Sequence, residues 1–525
     1  MTLPRTTQSV SLPPPYKGMN VRDPLAVLGA EDSPWLLNVT QQNGYMALRG
    51  GIQVHGYASG DLFLNGTAIY PKDTGDKIFG FVATSGNRKI YEFTSGGAAT
   101  MVQDLGTSSP DIAYPVLFNN NLLFFTEFVT MYRYDGTSWT SFAYTGVSHR
   151  SGTPYKGRMY LCGSSSTSYG YSSVGQLTGA VTAVDLSTVF DCNAGIQWIA
   201  PISLADSQQA DQVLAFGSAS GDVAIYSGDY PGAANWTLRS LYRIGKPLGV
   251  NNWIPVNGDS LVITSTGLVS LRALFTTGAI AATTQSVSAK IDKYWTRIVS
   301  NQTTPFNPGD VHTWSGVFWS EQNKILIGTN GYLDEAGTWY ANKATILEYD
   351  LLQESWTVHA TVSQDCRLNN LVKANGKIYA GLFYTDILQN NPFVVELFKA
   401  GTYKDEQISS RGSYISIPFA IVGGPTTFSG QGAIKKLNAV EPLLRTDAYS
   451  GGVSTYKIRS VVDFGRSQTA EQTIAAASGY TKAFASIGAE GTFFQYKISG
   501  QSVTSQTQGL ELYAVNAFYE PGGIR

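Results

Sequence analysis

Four histidines (His55, His149, His312, His359) and three cysteines (Cys162, Cys192, Cys366) are the side chains of this sequence best suited to hold a metal or act as nucleophiles. No histidine lies in an HExxH motif, in a His-x-His pair or beside a cysteine, and the cysteines are far apart, odd in number and without a CxxC pair. Zinc needs closely converging nitrogen and sulfur ligands, and a disulfide framework needs even, patterned cysteines. Neither is indicated, and the cysteine usage points to a reducing compartment. There is no G-x-S-x-G elbow, no G-x-x-x-x-G-K-[ST] loop and no EF-hand calcium loop. The spacing therefore assigns no catalytic, metal or cofactor residue, and no cofactor is expected.

Carboxylates are the remaining route to chemistry. Asp222, Asp229, Glu321, Asp334, Glu335 and Glu348 could supply the two acids that a glycosidase sets on either side of a sugar bond. Asp334-Glu335 sits in a long loop, where a solvated pair is the commoner meaning. Ser227 to Gly232, followed by Trp236, is faintly similar to the Asp-box turn of sialidases, but occurs once and with the wrong spacing. Lys435, Lys436, Arg445, Lys457 and Arg459 form the densest basic group; on one strand face they could line an interface or meet phosphate, though a plain solvated face is more usual. With 36 Lys+Arg against 38 Asp+Glu, the net charge of −2 gives no sign of the cation excess of a tight nucleic-acid binder, and none is expected.

The elements that would position these residues are strands. Across 525 residues only 14% are charged, while Gly numbers 55, Tyr 30 and Phe 24, a balance favouring strands and turns. One phrase recurs: an apolar run, a tight turn, a second apolar run. It spans Val116 to Phe125 around Asn119-Asn120, Lys156 to Leu161, Val256 to Ile263 around Asn257-Gly258, and Ala374 to Ala380 around Asn375-Gly376. Asn and Gly tolerate the positive φ angles of a two-residue hairpin turn. Roughly seven such modules between residues 61 and 407 predict an all-β fold with a β-propeller of about seven blades, six to eight being possible.

A second repeat, Tyr-Asp, turn, Ser-Trp-Thr, occurs at Tyr134 to Thr140 and Tyr349 to Thr357, and more loosely at Tyr226 to Thr237. Trp139, Trp236 and Trp356 then fill the gaps between twisted blades; the alternative is a ring of sugar-stacking platforms. Ser-, Gly-, Thr- and Tyr-rich stretches at 163–188 and 328–343 read as long irregular contact loops.

The two ends differ from the middle. Residues 1–60 read as an extended arm, with Pro13-Pro14-Pro15 in polyproline form, a short helix capped by Ser33 ahead of Pro34, and a strand at Gly44 to Arg49. Residues 408–525 carry longer alternating strands, such as Tyr456 to Val461, and predict a β-sandwich platform. No stretch approaches the ~20 apolar residues of a membrane span and the N-terminus has no signal-peptide core, so the expectation is a soluble protein made in the cytoplasm without a membrane anchor.

Gly18-Met19-Asn20-Val21-Arg22-Asp23-Pro24-Leu25, Glu31-Asp32-Ser33 before Leu36-Leu37-Asn38, Leu48-Arg49-Gly50-Gly51, and at the other end Leu510 to Val515 and Tyr519 to Arg525, resemble the ends of a group of phage virion proteins. This group comprises tail nozzle or tail hub proteins of short-tailed phages, also called tail tubular protein B or packaged-DNA stabilisation proteins. The likeness covers roughly the first 55 and last 20 residues.

It implies a structural, non-enzymatic protein of the virion tail, assembled in the bacterial host cytoplasm. The implied assembly is a homohexameric ring that forms the distal DNA-ejection channel, with the tail adaptor, tail fibre or needle proteins and the passing genomic DNA as partners. Asn20, Arg22, Asp23, Arg49, Glu520 and Arg525 are candidate assembly contacts, with ties inside the fold as the other meaning of the matched charges. Gly50-Gly51 and Gly522-Gly523 would allow positive φ or close backbone approach. A propeller glycan hydrolase and a carbohydrate-binding receptor module remain alternatives, since the propeller alone decides no function.

Overall fold

The computed structural model describes residues 6–58, 63–83, 87–107, 114–125, 131–147, 149–163, 166–190, 194–204, 212–249, 251–277, 286–302, 314–361, 366–384, 392–406, 413–428, 434–446, 454–476, 479–502 and 509–521. Cys192, His312, Gly522, Gly523 and Arg525 fall outside them.

The recurrent hairpins turn as their residues require. The central φ angles are 48° and 58° at Asn119-Asn120, 45° and 73° at Lys156-Gly157, 48° and 80° at Asn257-Gly258, and 50° and 72° at Asn375-Gly376. Two positive values in a two-residue loop match the twist of the flanking strands. Each of these hairpins joins the first and second strands of a blade.

Seven blades follow from the pairing. Blade one runs from Phe63–Tyr70 to Thr100–Thr107, blade two from Tyr114–Phe118 to Trp139–Phe142, blade three from Ser151–Tyr155 to Thr182–Asp185, and blade four from Ile196–Ser203 to Thr237–Arg243, each with four strands. Blade five has three, Trp253–Val256, Asp259–Thr264 and Gly267–Ser270, followed by helix Leu271–Thr277. Blade six is Trp314–Trp319, Lys324–Leu333, Trp339–Asp350 and Ser355–Ala360. Blade seven takes Cys366–Ala374, Lys377–Tyr384 and Pro392–Lys399 from one end of the propeller sequence and Gly51–Tyr57 from the other.

The first strand of each blade lies against the following blade, and Cys366–Ala374 lies against Phe63–Tyr70, closing the ring. There Asn370 both donates to Thr67 O at 2.7 Å and accepts from Thr67 N at 3.0 Å. Asn369 donates to Leu64 O beside it. Buried amides are costly unless paired, and these two spend themselves on backbone groups facing the gap between blades.

The sandwich draws on both chain ends. One sheet runs Val39–Gln42, Tyr45–Leu48, Leu510–Glu520, Lys435–Thr446, Gly479–Lys482, with Gln8–Leu12 and Ala485–Gly491 paired at its sides. The other orders Ser454–Val462, Phe494–Gln501, Pro418–Val422 and Trp35–Leu37. Leu36, Met46, Leu48, Phe419, Ile421, Val440, Ile458, Ile498 and Leu512 meet between them. Ala485–Gly491 alternates buried and exposed at every residue, the period-two pattern of a half-buried strand.

Four expectations change. The segment after Ser33 is a strand, not a helix: Trp35–Leu37 pairs antiparallel with Ala420 to Val422 and parallel with Val358, and a full set of sheet partners outweighs a cap signal. Ser33 Oγ instead accepts from Trp35 N at 3.1 Å and donates to Val422 O.

Residues 1–60 are not all arm: the Gly44 to Arg49 strand, Tyr45–Leu48, joins the sandwich, and Gly51–Tyr57 closes blade seven. Residues 328–343 are mostly the facing strands of a long hairpin. Gly331 there makes room for a ring: a Cβ on it would lie 2.0 Å from Trp339. Within 163–188, Ser168–Tyr171 and Thr182–Asp185 are the outer strands of blade three.

Candidate functional site at the joint between propeller and sandwich

The carboxylates singled out as possible acids are each committed to a structural partner. Asp222 accepts from Ser218 and Ser220 at 3.2 and 2.9 Å, Asp229 from Asn235 and Lys156 at 2.9 and 3.0 Å, and Glu321 from Lys373 at 3.2 Å. Asp334 closes its own hairpin turn by accepting from Thr338 N at 2.7 Å, and Glu335 pairs with Lys497 of the sandwich. The basic group is split: Lys435, Lys436 and Arg445 lie on one sandwich sheet, Lys457 and Arg459 on the other, so they form no common face.

Cys162 and Cys366 are buried thiols; burial raises both, Cys366 to about 12, which suits packing and not nucleophilic attack. Among the described residues no three His, Cys, Asp or Glu side chains gather as a metal site. No helix among them is long and apolar enough to cross a membrane.

Each repeated tryptophan packs across a gap between structural units. Trp139 stands opposite Tyr134 in its hairpin, stacks on Phe124 at 5.4 Å, and meets Phe79 of blade one edge-on at 5.1 Å. Trp236 stacks on Tyr226 of blade four and Tyr160 of blade three. Trp356 packs on Tyr349 at 4.8 Å and donates its indole N–H to Val287 O. In two of the three motifs the Asp caps the turn: Asp135 accepts from Thr137 N and Ser138 N, and Asp350 from Leu352 N and Gln353 N.

The densest buried polar chemistry lies where the two domains meet. Asn38, fully buried and with φ 56°, donates Nδ2 to Pro418 O at 2.7 Å in the sandwich, while its Oδ1 accepts Ala360 N at 3.0 Å from blade six and Arg49 Nε at 2.9 Å. Asn tolerates left-handed backbone, and a hydrophobic residue here could satisfy none of these groups. Arg49 grips Asp405 through both terminal nitrogens at 2.8 Å and also donates to Gly50 O and Ala360 O. Gly50-Gly51 serves close approach: a Cβ on Gly51 would lie 2.1 Å from Lys404 O.

Beside this knot, Lys324, Glu348 and His359 form a second buried cluster. Glu348 accepts from Lys324 at 2.8 Å and Thr40 at 2.6 Å, and lies 3.1 Å from His359 Nε2. Burial by itself would raise the Glu348 carboxyl, but the Lys324 charge and the His359 hydrogen bond outweigh it and hold it far below the usual carboxylate range. Burial pushes His359 down despite Glu348, which favours the neutral ring. A cavity of about 370 Å³ opens between the sandwich and blades six and seven, with Lys324 and Glu348 among its lining.

Of the candidate assembly contacts, Arg49 is corrected: at 1% exposure its guanidinium is spent inside the joint and presents nothing to another subunit. Asn20 donates to Asp23 at 2.9 Å and Arg22 pairs with the same carboxylate. Arg22 O also accepts from Lys293 Nζ, tying this turn to helix Asp292–Asn301. Arg22 and Asp23 remain partly exposed. Glu520 accepts from Asn438 at 3.0 Å. The joint itself escaped sequence reading because its members are scattered from Asn38 to Asp405; the positive φ that Asn tolerates at Asn38 was the one local signal.

No family model and no curated protein sequence matches the chain. Among solved structures, the chain is similar to BBS1N in complex with ARL6DN (8% identity, 67% of this chain and 97% of that chain, TM-score 0.40). It is also similar to Chaetomium thermophilum Raptor (8%, 67% and 29%, TM-score 0.38). A third is the exo-beta-1,3-galactanase of Phanerochaete chrysosporium (9%, 89% and 100%, TM-score 0.26). Likeness this loose carries no functional argument, and the propeller assignment rests on the seven blades themselves.

Proposed function

We propose that this chain is a structural subunit of a short-tailed phage's tail: a nozzle or hub protein that assembles as a homo-oligomeric ring, a hexamer in the resemblance, around the path of the exiting DNA. One observation carries the reading. The chain ends that bear the resemblance converge in one sheet, where Gln8–Leu12 and Tyr45–Leu48 both pair with Leu510–Glu520. That sheet belongs to a sandwich fastened to the propeller through Asn38 and Arg49.

A platform built from both termini and locked to a propeller suits a rigid ring subunit. In this reading the chain performs no catalysis, its acids serving turns and ion pairs, and its near-neutral charge lets DNA pass without strong phosphate contacts. The tail adaptor and fibre or needle proteins are its partners in the virion.

Light scattering after size exclusion, combined with negative-stain microscopy, tests this. A ring is expected from the protein alone or on addition of its adaptor. A stable monomer under both conditions overturns the proposal.

A further inference from the structure

The cavity at the joint has the make-up of a ligand site. Its volume of about 370 Å³ falls at the small end of the range typical of ligand cavities, about 300–1,000 Å³. Trp319 and Phe398, stacked 6.1 Å apart, supply aromatic surface, and Tyr45 and Tyr403 add two more rings. Phe398 holds a left-handed φ of 53°, a strained backbone that tends to persist where a site demands it.

The polar lining is neutral as a whole. Lys324 is matched by Glu348, Arg49 by Asp405, and Glu511 by Arg445 at 3.1 Å. An ionic ligand would therefore meet no uncompensated charge. Thr40 is spent in the same cluster, donating to Glu348 and accepting from Lys324, so what remains is a mixture of donors and acceptors from the side-chain amides of Gln42 and Gln322. Hydroxyl groups, which donate and accept at once, suit such a mixture, and the apolar face of a sugar ring suits the aromatic walls.

We propose that this cavity binds one neutral sugar ring or a cyclic polyol of similar size, held between the sandwich and blades six and seven. The site is distinct from the repeated Trp139, Trp236 and Trp356, which pack on neighbouring rings, and it does not depend on ring assembly.

Full-length protein is titrated by calorimetry and saturation-transfer NMR with methyl α-glucoside, galactose and N-acetylglucosamine, with cyclohexanol and inorganic phosphate as controls. At least one sugar is expected to bind one-to-one, and neither control to bind. Ala400→Trp, at an exposed turn position on the rim, is expected to weaken binding at least about tenfold by filling the mouth. Gln42→Ala, which removes one amide and fills nothing, is expected to weaken binding several-fold at an unchanged unfolding midpoint, and decides the matter if the bulkier variant misfolds. Absence of binding by all three sugars at tens of millimolar, binding of phosphate or cyclohexanol in their place, or undiminished binding in a folded Ala400→Trp or in Gln42→Ala overturns the proposal.

Discussion

Arg49 and Asp405 form a two-armed ion pair, both nitrogen–oxygen distances 2.8 Å, inside the joint between sandwich and propeller. The residues flank the whole propeller in sequence. Asp405 also accepts Ile52 N at 3.0 Å, so the same carboxylate that holds Arg49 anchors the strand that closes blade seven. Ring closure and domain attachment thus share one buried contact. Such a pair adds little net stability over an apolar replacement, but removing one partner strands the other charge.

Arg49→Ala or Asp405→Ala is therefore expected to destabilise the protein by about 3–5 kcal/mol in urea unfolding. Arg49→Lys should recover little, because an ammonium cannot span both carboxylate oxygens while also reaching Asn38 and Ala360. A wild-type midpoint for Arg49→Lys would contradict the geometry.

The neighbouring cluster makes stability acid-sensitive. His359 has its folded pKa lowered from about 6.5, so the unfolded chain takes up the proton first and stability, complete above that value, declines as pH falls below it. Glu348 is lowered too, so its contribution is present above about 4.3 and is lost as pH falls further. Urea midpoints should fall from pH 7.5 to pH 5, and His359→Gln should flatten part of that slope. His55 and His149, also lowered by burial, act in the same direction. An identical slope in His359→Gln would count against this account.

Trp139→Ala and Trp356→Ala should each cost about 3–5 kcal/mol, the loss of a large packed ring. Thermal unfolding reads this directly. A folded variant of unchanged stability that had lost glycan binding would instead favour the stacking-platform alternative.

Gly51→Ala places a methyl group 2.1 Å from Lys404 O and should cost more than about 4 kcal/mol. Gly44→Ala meets nothing within 4 Å and pays only for its φ of 86°, about 1–2 kcal/mol. Comparing the two by chemical denaturation separates close approach from backbone preference within one arm.

Local rules made much of the fold legible. Asn119-Asn120, Asn257-Gly258 and Asn375-Gly376 specify their hairpins because the turn needs only two residues with positive φ, a property of those residues alone. The tryptophan repeat was legible for a similar reason: Tyr134 faces Trp139 in the same hairpin and Asp135 caps it, all within a few residues. The strands in the glycine-rich stretch at 328–343 were not, because what makes Gly331 tolerable there is the Trp339 ring opposite it.

By itself, then, the sequence determined an all-β chain of about seven hairpin modules, with no local pattern for metal, nucleotide or nucleophile chemistry. Only tertiary structure decided that Trp35–Leu37 is a strand, that Gly51–Tyr57 closes the ring, and that Arg49 faces Asp405 and not a neighbouring subunit. The physical reason is range. Turn angles and strand alternation are set by adjacent residues, whereas Asn38, Arg49, Lys324, Glu348 and Asp405 acquire their roles only when segments hundreds of residues apart are brought within hydrogen-bonding distance.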